Sequence, residues 1–143
     1  ATWSPSSISY TGNNRTHMIR IPDQGRFELR LMDGSANPYL LQAGIIAAGL
    51  EGLNKKINPG KPLHCNMYTD YKKYPKLKKL PNVVEQAIKL LENSKSLNNA
   101  FGKDVIKSYI KLKNSEIKDF KRKENFNKKR PITNWERNNT LDC

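Results

Sequence analysis

The feature that most constrains this chain is the apolar segment from Pro38 to Leu53, PYLLQAGIIAAGLEGL. Asn37 before it is a favourable N-cap, and Pro38 suits the first helical position, where its missing N–H costs nothing. The predicted helix is apolar nearly all round, so we expect it to be buried on most sides against a sheet or other helices. It falls short of the roughly 20 apolar residues that a membrane-spanning helix needs.

Short strands are predicted ahead of this helix. The clearest is FELRLM, Phe27–Met32, because its apolar and polar residues alternate with the period of a half-buried strand. THMIRI, Thr16–Ile21, is a second strand, and Pro22–Gly25 joins the two as a hairpin-like connection. Residues 8–10 are a third, shorter strand. We expect antiparallel strands at the N-terminal end.

Mostly helices are predicted after the apolar segment. Residues 54–81 form a long surface loop, and residues 82–92 and 103–123 have the spacing of amphipathic helices. The predicted fold is therefore α+β, with strands in 1–36 and a helical region in 37–143. A two-stranded hairpin is marginal by itself and cannot cover a helix this apolar. We expect the chain to be the last part of a larger domain.

Positive charge is used in two ways along the chain. Residues 1–53 contain four arginines, no lysine and four acidic residues, whereas residues 54–143 contain 22 basic and 9 acidic residues and carry the whole net charge of +13. Arginine suits fixed, bidentate contact with carboxylate or phosphate. The lysine runs, which include residues 128–130, are dispersed, as on a solvated surface, although a basic module that binds nucleic acid is an alternative.

The two cysteines and two histidines are isolated. Cys65 and Cys143 lie far apart with no CxxC motif, which argues against a disulfide scaffold or zinc site and fits a reducing cytoplasm. His17 and His64 have no second ligand at metal-binding spacing, so we interpret both as structural.

Glu28 and Arg30 lie two residues apart on the predicted strand and therefore point to the same face, about 7 Å apart. They could flank one bound group, with the carboxylate on a divalent cation and the guanidinium on the anion that the cation bridges. From spacing alone, an ion-paired, solvated strand face in which each meets a cross-strand partner is the simpler interpretation. Arg15 and Arg20 are likewise ordinary exposed arginines when each is considered singly.

The motifs together resemble the C-terminal catalytic region of glutamine synthetase. They are NNRTHMIRIP (residues 13–22), RFELRLMDGSANPYLLQAGIIAAGLEGL (residues 26–53) and NKKINPG (residues 54–60). The short link between the strands and the ending WERNNTLDC resemble a divergent bacterial branch, which includes type III-like synthetases and glutamate–methylamine ligases. The resemblance implies that the family's N-terminal domain and the first part of its catalytic domain are absent.

The resemblance also implies an activity and residue roles. Members use ATP and Mg²⁺ or Mn²⁺ to phosphorylate the γ-carboxylate of glutamate, ammonia then displaces the phosphate, and the enzymes are cytoplasmic homo-oligomeric rings. Glu28 resembles the metal ligand on the nucleotide side. Arg30 resembles the arginine for glutamate and its phosphorylated γ-group, and Arg15 the arginine for the ATP phosphates and γ-glutamyl phosphate. Arg20 resembles a second ATP-binding arginine.

Two departures and one alternative accompany the resemblance. The link at residues 22–25 has no lysine, so the family's ATP-binding lysine is not carried over. Tyr68 falls near a tyrosine that some members adenylylate, but its lysine-rich setting makes that modification unexpected. The amine acceptor stays open between ammonia and methylamine. We expect no nucleic-acid or membrane partner, and no turnover by the 143 residues alone.

Overall fold

The computed structural model describes residues 4–124 and 132–140. Contacts divide the chain into two compact units, one of residues 1–33 with 58–83 and one of residues 34–57 with 84–143. The strands are β1 (Tyr10–Thr11), β2 (Ile19–Asp23) and β3 (Arg26–Leu29). The helices are α1 (Pro38–Asn54), α2 (Met67–Asp70), α3 (Val84–Glu92), α4 (Lys95–Phe101), α5 (Lys103–Lys123) and α6 (Asn134–Asn139). The predicted lysine run at residues 128–130 and Cys143 lie outside the described residues.

The first unit contains a three-stranded sheet in the order β1-β2-β3. The predicted antiparallel hairpin is confirmed: β2 and β3 pair antiparallel around a turn at Gln24 and Gly25, and Gly25 adopts the positive φ of 76° that this turn requires. The predicted bounds need correction, because β2 starts at Ile19 and β3 ends at Leu29. The short first strand pairs with β2 in parallel.

Residues 58–83 pack with the sheet rather than forming an isolated loop. Leu63 donates its N–H to the Tyr10 carbonyl, and an isolated antiparallel bridge joins Ser7 to Lys79. Helix α2 is capped by the side chain of Asn66, and a 3-10 turn follows it at Tyr71–Lys73. The long predicted loop therefore contains two short helical turns that hydrophobic periodicity is too short to reveal.

The second unit is helical. Asn37 accepts hydrogen bonds from the N–H groups of Tyr39 and Leu40, which confirms the predicted N-cap of α1. Helix α5 has its predicted bounds, whereas α3 begins at Val84, two residues later than predicted. The sequence prediction missed α4, which lies between a Ser94 N-cap and Gly102 at a φ of 83°.

The burial predicted for α1 is wrong for this chain. No residue of α1 is buried, although Leu40, Leu41 and Gly44 line a pocket with α4 and α5. The outward stripe is strongly exposed, at 62% for Ile46 and 75% for Leu53. The reason is that the other helices of this unit pack against one side of α1. Apolar side chains on its other side have no packing partner among the described residues of the unit. Among those residues, no helix is long and apolar enough to cross a membrane.

Helix α6 contacts α5 through Trp135. The indole N–H of Trp135 donates to an Asp119 carboxylate oxygen at 2.7 Å, and the indole meets the Phe120 ring edge-on at 5.6 Å between centroids. Hydrogen bonds from Trp135 and then from Lys123 and Arg122 lower the pKa of Asp119 to about 2. The charged form of this carboxylate therefore stabilises the contact of α6 with α5.

We predict that acid releases α6. Because the folded pKa of Asp119 lies below its ordinary value of 3.8, the stabilisation is complete above that value and is lost as the pH falls through about 2. In a Trp3→Phe background, Trp135 fluorescence should change over this window, and Asp119→Asn should show the acid-state signal at neutral pH. An Asp119→Asn spectrum identical to its parent at neutral pH would contradict the contact.

Candidate functional site

The centre of the candidate site is a cross-strand ion pair between β2 and β3. Arg20 and Glu28 are directly opposed in the strand register, and one Arg20 guanidinium nitrogen donates to both Glu28 carboxylate oxygens, at 2.7 and 2.6 Å. Arg20 is only 9% exposed. Its remaining nitrogens donate to the side-chain oxygen of Asn13, at 3.0 Å from Nε. One guanidinium thus connects β2, β3 and the turn before β2.

Two further arginines surround the same carboxylate. Arg26 lies 3.5 Å from a Glu28 oxygen, and the positive charge of Arg15 is close enough to act on Glu28. The hydrogen bond from Arg20, with added attraction from the charges of Arg20, Arg26 and Arg15, lowers the pKa of Glu28 below its ordinary value. The carboxylate is therefore ionised at neutral pH and available as a hard oxygen ligand.

Arg15 differs from Arg20 in that its guanidinium is not in direct contact with an acceptor among the described residues. Its residue is exposed, and across residues 4–124 and 132–140 its guanidinium has no hydrogen bond or ion pair. Its backbone, by contrast, is held: the Arg15 carbonyl accepts a hydrogen bond from the Tyr68 hydroxyl at 3.3 Å. The Arg15 guanidinium can therefore contact a ligand while the backbone of the residue is held in place.

Arg30 lies just beyond the end of β3. Its N–H donates to the Met18 carbonyl at 2.9 Å, which extends the β2–β3 pairing by one bond, and its side chain is half-buried. The predicted joint binding of one group by Glu28 and Arg30 stays a prediction, because in this structure the described partners of the Glu28 carboxylate are Arg20 and Arg26.

The donors present fit a shared magnesium site rather than a complete one. In the described part of the chain, no group of three or more His, Cys, Asp or Glu side chains could hold a metal ion. Magnesium nevertheless often binds one or two protein carboxylates and takes its other ligands from substrate phosphates and water. Glu28 can be one such ligand, with the rest supplied from outside these residues.

His17 is structural, as predicted, whereas a structural role for the exposed His64 stays a prediction. His17 is fully buried and hydrogen-bonded at both ring nitrogens. His64 lies near Thr11 at the longer distance of 3.5 Å. Cys65 is a free thiol.

Sequence reasoning missed two residues of the site. Arg26 lies two residues before Glu28, just as Arg30 lies two residues after it. Because residues two apart on a strand share a face, the alternation rule could have identified Arg26 as part of the site. Asn13 lies in a segment that the sequence marks only as a turn, and no spacing rule connects it to Arg20. Its role becomes visible only when the turn folds back on β2.

Comparisons with known proteins converge on one family. The family profile described as "Glutamine synthetase, catalytic domain" matches residues 1–138. The chain is 44% identical over 142 residues to a glutamine synthetase of Rhizobium meliloti, covering 99% of this chain and 31% of that relative. It is 37% identical over 146 residues to a glutamate–methylamine ligase of Methyloversatilis universalis, covering 99% of this chain and 30% of the relative.

A solved structure is also similar. A complex of GmaS with ADP matches 99% of this chain and 30% of its own chain, with a TM-score of 0.80 and 43% identity. The present chain thus spans about a third of the length of these relatives.

We predict that Arg20 dominates the ionisation of Glu28. Arg20→Gln should raise the pKa of Glu28 towards its ordinary value of 4.5, since it removes the strongest hydrogen bond to the carboxylate. Arg26→Gln is the matched control, because Arg26 is more exposed and lies at 3.5 Å; it should give a smaller rise. Carboxyl ¹³C NMR titration measures both, and equal shifts would contradict this ranking.

Proposed function

The chain belongs to the glutamine synthetase family, and on that premise we propose that it is the C-terminal part of an ATP-dependent glutamate–ammonia ligase. The observation that carries the proposal is the ionised Glu28 carboxylate beside Arg15, whose guanidinium has no partner among the described residues. A carboxylate that could bind a hard metal and a cation that could bind phosphate are thus close enough for the charge of one to act on the other. Arg30 lies two residues after Glu28, just beyond the end of β3.

The proposed reaction has two steps. The γ-carboxylate oxygen of glutamate attacks the terminal phosphorus of ATP, so that ADP leaves and γ-glutamyl phosphate forms. Ammonia then attacks the γ-carbon, phosphate leaves, and glutamine remains. The first step gathers negative charge on the transferring phosphoryl group. The second gathers it on the γ-carbonyl oxygen and the departing phosphate, and the added nitrogen loses a proton as the amide forms. Preorganised positive charge lowers both barriers.

Each arginine has a distinct task in this proposal. Arg15 contacts the ATP phosphates and then the γ-glutamyl phosphate, and Arg30 holds glutamate and its phosphorylated γ-group. Arg20 is assigned to ATP by the family resemblance. Its bonds to Glu28 and Asn13 support an added task, in which it holds the Glu28 carboxylate in place between rounds of metal binding.

Glu28 is the residue that would hold Mg²⁺ or Mn²⁺. When bound, the metal would neutralise the charge of the triphosphate. A carboxylate offers about four lone-pair sites, and the bonds from Arg20 and Arg26 use three of them, so Glu28 could bind a metal ion while still bonded to Arg20. Partial exposure of the carboxylate, at 37%, supports access to such a ligand.

We infer that the 143 residues are inactive alone. The chain has about a third of the length of its relatives, an uncovered apolar stripe on α1 and, among its described residues, no group of three or more side chains that could hold a metal ion. The proposed active-site strands in residues 1–36 and the helical region in residues 37–143 would both belong to a larger catalytic domain. The complete enzyme is proposed to be a cytoplasmic homo-oligomeric ring.

Methylamine is a second candidate acceptor. It is favoured by the similarity to the glutamate–methylamine ligase and to the GmaS–ADP complex. A basic nucleic-acid module has less support. Several lysines of residues 54–143 are already paired with acidic residues, as in the ion pairs Lys55–Glu51, Lys73–Asp70 and Lys121–Glu85.

We predict that activity appears only after complementation. The purified chain should form no glutamine from glutamate, ATP and ammonium. Added to the preceding part of the Rhizobium meliloti relative, it should restore ATP-dependent product formation. Running ammonium and methylamine in parallel identifies the acceptor by which γ-glutamyl product accumulates. Turnover by the chain alone would overturn the inference of inactivity.

We predict that Glu28→Ala and Arg30→Ala each lower turnover of the complemented enzyme by on the order of 100-fold or more, because each removes preorganised charge at the reacting group. Assembly, measured by size-exclusion chromatography, should be unchanged. Asp23→Ala, an exposed acid in the same hairpin, is the control and should retain activity. Near-normal turnover in either test variant would refute its proposed role.

A further inference from the structure

Four consecutive residues around Arg15 are all bonded to one short segment of residues 58–83. Residues 14–17 and residues 65–68, here called the clasp, are about 50 positions apart in sequence. Every member of the first group contributes a bond to the second, through a side chain or, for Arg15, through the backbone. A connection between two segments does not require that each of four consecutive residues be hydrogen-bonded in this way.

The Cys65 carbonyl is the most heavily used acceptor of the clasp. It accepts from the side-chain amide of Asn14 at 2.9 Å and from His17 Nε2 at 3.0 Å, which occupies both of its lone pairs. Because a carbonyl can only accept, Nε2 of His17 carries the hydrogen. In the neutral ring Nδ1 then accepts from the Ser9 hydroxyl at 3.1 Å. His17 is fully buried and bonded at both ring nitrogens, so the orientation of its ring is fixed.

Thr16 connects the two halves of the clasp. Its hydroxyl donates to the Asn14 side-chain oxygen at 2.8 Å and accepts from the Met67 N–H at 3.0 Å. Its own N–H donates to the same Asn14 oxygen at 2.9 Å. The backbone on both sides of Arg15 is therefore fixed by side chains whose other bonds go to residues 65–68.

Arg15 itself contributes only its carbonyl, which accepts from the Tyr68 hydroxyl at 3.3 Å. The guanidinium is left outside all of these bonds, on an exposed residue whose charge acts on Glu28. A long, flexible side chain loses rotamer entropy when it binds a ligand. If the backbone of Arg15 is already fixed, only the side chain loses conformational entropy on binding. The fixed backbone also limits the positions that the guanidinium can reach.

We propose that the clasp is a positioning element for Arg15, and that Thr16, His17 and Tyr68 act on phosphate binding through the Arg15 backbone without touching the ligand. The proposal rests on the phosphate role given to Arg15 under the proposed function. It adds residues 65–68, which the reaction itself does not use, to the machinery of the site.

The first test measures the clasp in the 143-residue chain without ligand. The exchange rate of the buried His17 Nε2 hydrogen, followed by ¹⁵N NMR, reports opening of the clasp. Tyr68→Phe and Thr16→Val should each accelerate it by about 2- to 12-fold, the range that corresponds to one lost hydrogen bond. Tyr10→Phe is the matched control, because it removes an equivalent tyrosine-to-carbonyl bond, to Gly60 at 2.6 Å. Rates that match the control would overturn the clasp as a cooperative unit.

The second test asks whether the clasp acts through Arg15. MgATP is titrated into the same chain while the Arg15 side-chain Nε–H resonance is followed, which detects millimolar affinity. Tyr68→Phe and Thr16→Val should weaken ATP binding by about 2- to 12-fold, whereas Tyr10→Phe should not. In an Arg15→Ala background, followed by backbone amide shifts, the clasp substitutions should have no further effect, as a double-mutant cycle requires for coupled residues.

The outcomes separate the two proposals. If Arg15→Ala weakens ATP binding and the clasp variants do not, the positioning proposal is wrong and the phosphate role of Arg15 stands. If ATP leaves Arg15 unaffected both in the unsubstituted chain and in the complemented enzyme, the phosphate role is wrong and the clasp has nothing to position. Equal weakening by Tyr68→Phe with and without Arg15 would also overturn the proposal, because a purely structural effect is independent of that side chain.

Discussion

The Arg20 guanidinium holds the site together. From a nearly buried position on β2 it bonds both oxygens of Glu28 on β3 and the side chain of Asn13 in the preceding turn. Because Arg20 is nearly buried, losing Glu28 would leave a mostly desolvated charge without its partner, which costs more than losing an exposed pair. The direction of the Glu28 carboxylate and the attachment of the preceding turn to β2 depend on this one side chain.

A second constraint is found in the helical unit. Helix α1 keeps apolar side chains exposed along one stripe, including Ile46, Leu50 and Leu53. Exposed apolar surface of this extent normally marks an interaction site. The proposal that the chain belongs to a larger catalytic domain explains two features by one cause, a missing set of partners. They are this stripe and the lack, among the described residues, of a group of three side chains that could hold a metal ion.

How much the sequence could predict differs between local and long-range features. The cap at Asn37, the hairpin turn at Gly25 and the extent of α5 follow from residue type and periodicity, and the structure confirms them. The burial of α1 was mispredicted, because periodicity describes the helix and not what surrounds it. The clasp could not be predicted at all, since bonds such as Tyr68 to Arg15 join residues 53 positions apart and no spacing rule connects them.

We propose that Glu28 and Arg15 form the metal-binding and phosphate-binding wall of a glutamine synthetase-type site, and a crystal structure of the complemented enzyme with Mg²⁺ and ADP would show whether they do. We expect a Glu28 oxygen at about 2.0–2.1 Å from the metal, and the Arg15 guanidinium at about 2.7–2.9 Å from a phosphate oxygen. A Glu28 carboxylate still bonded through both oxygens to Arg20, with metal and nucleotide bound elsewhere, would refute both roles.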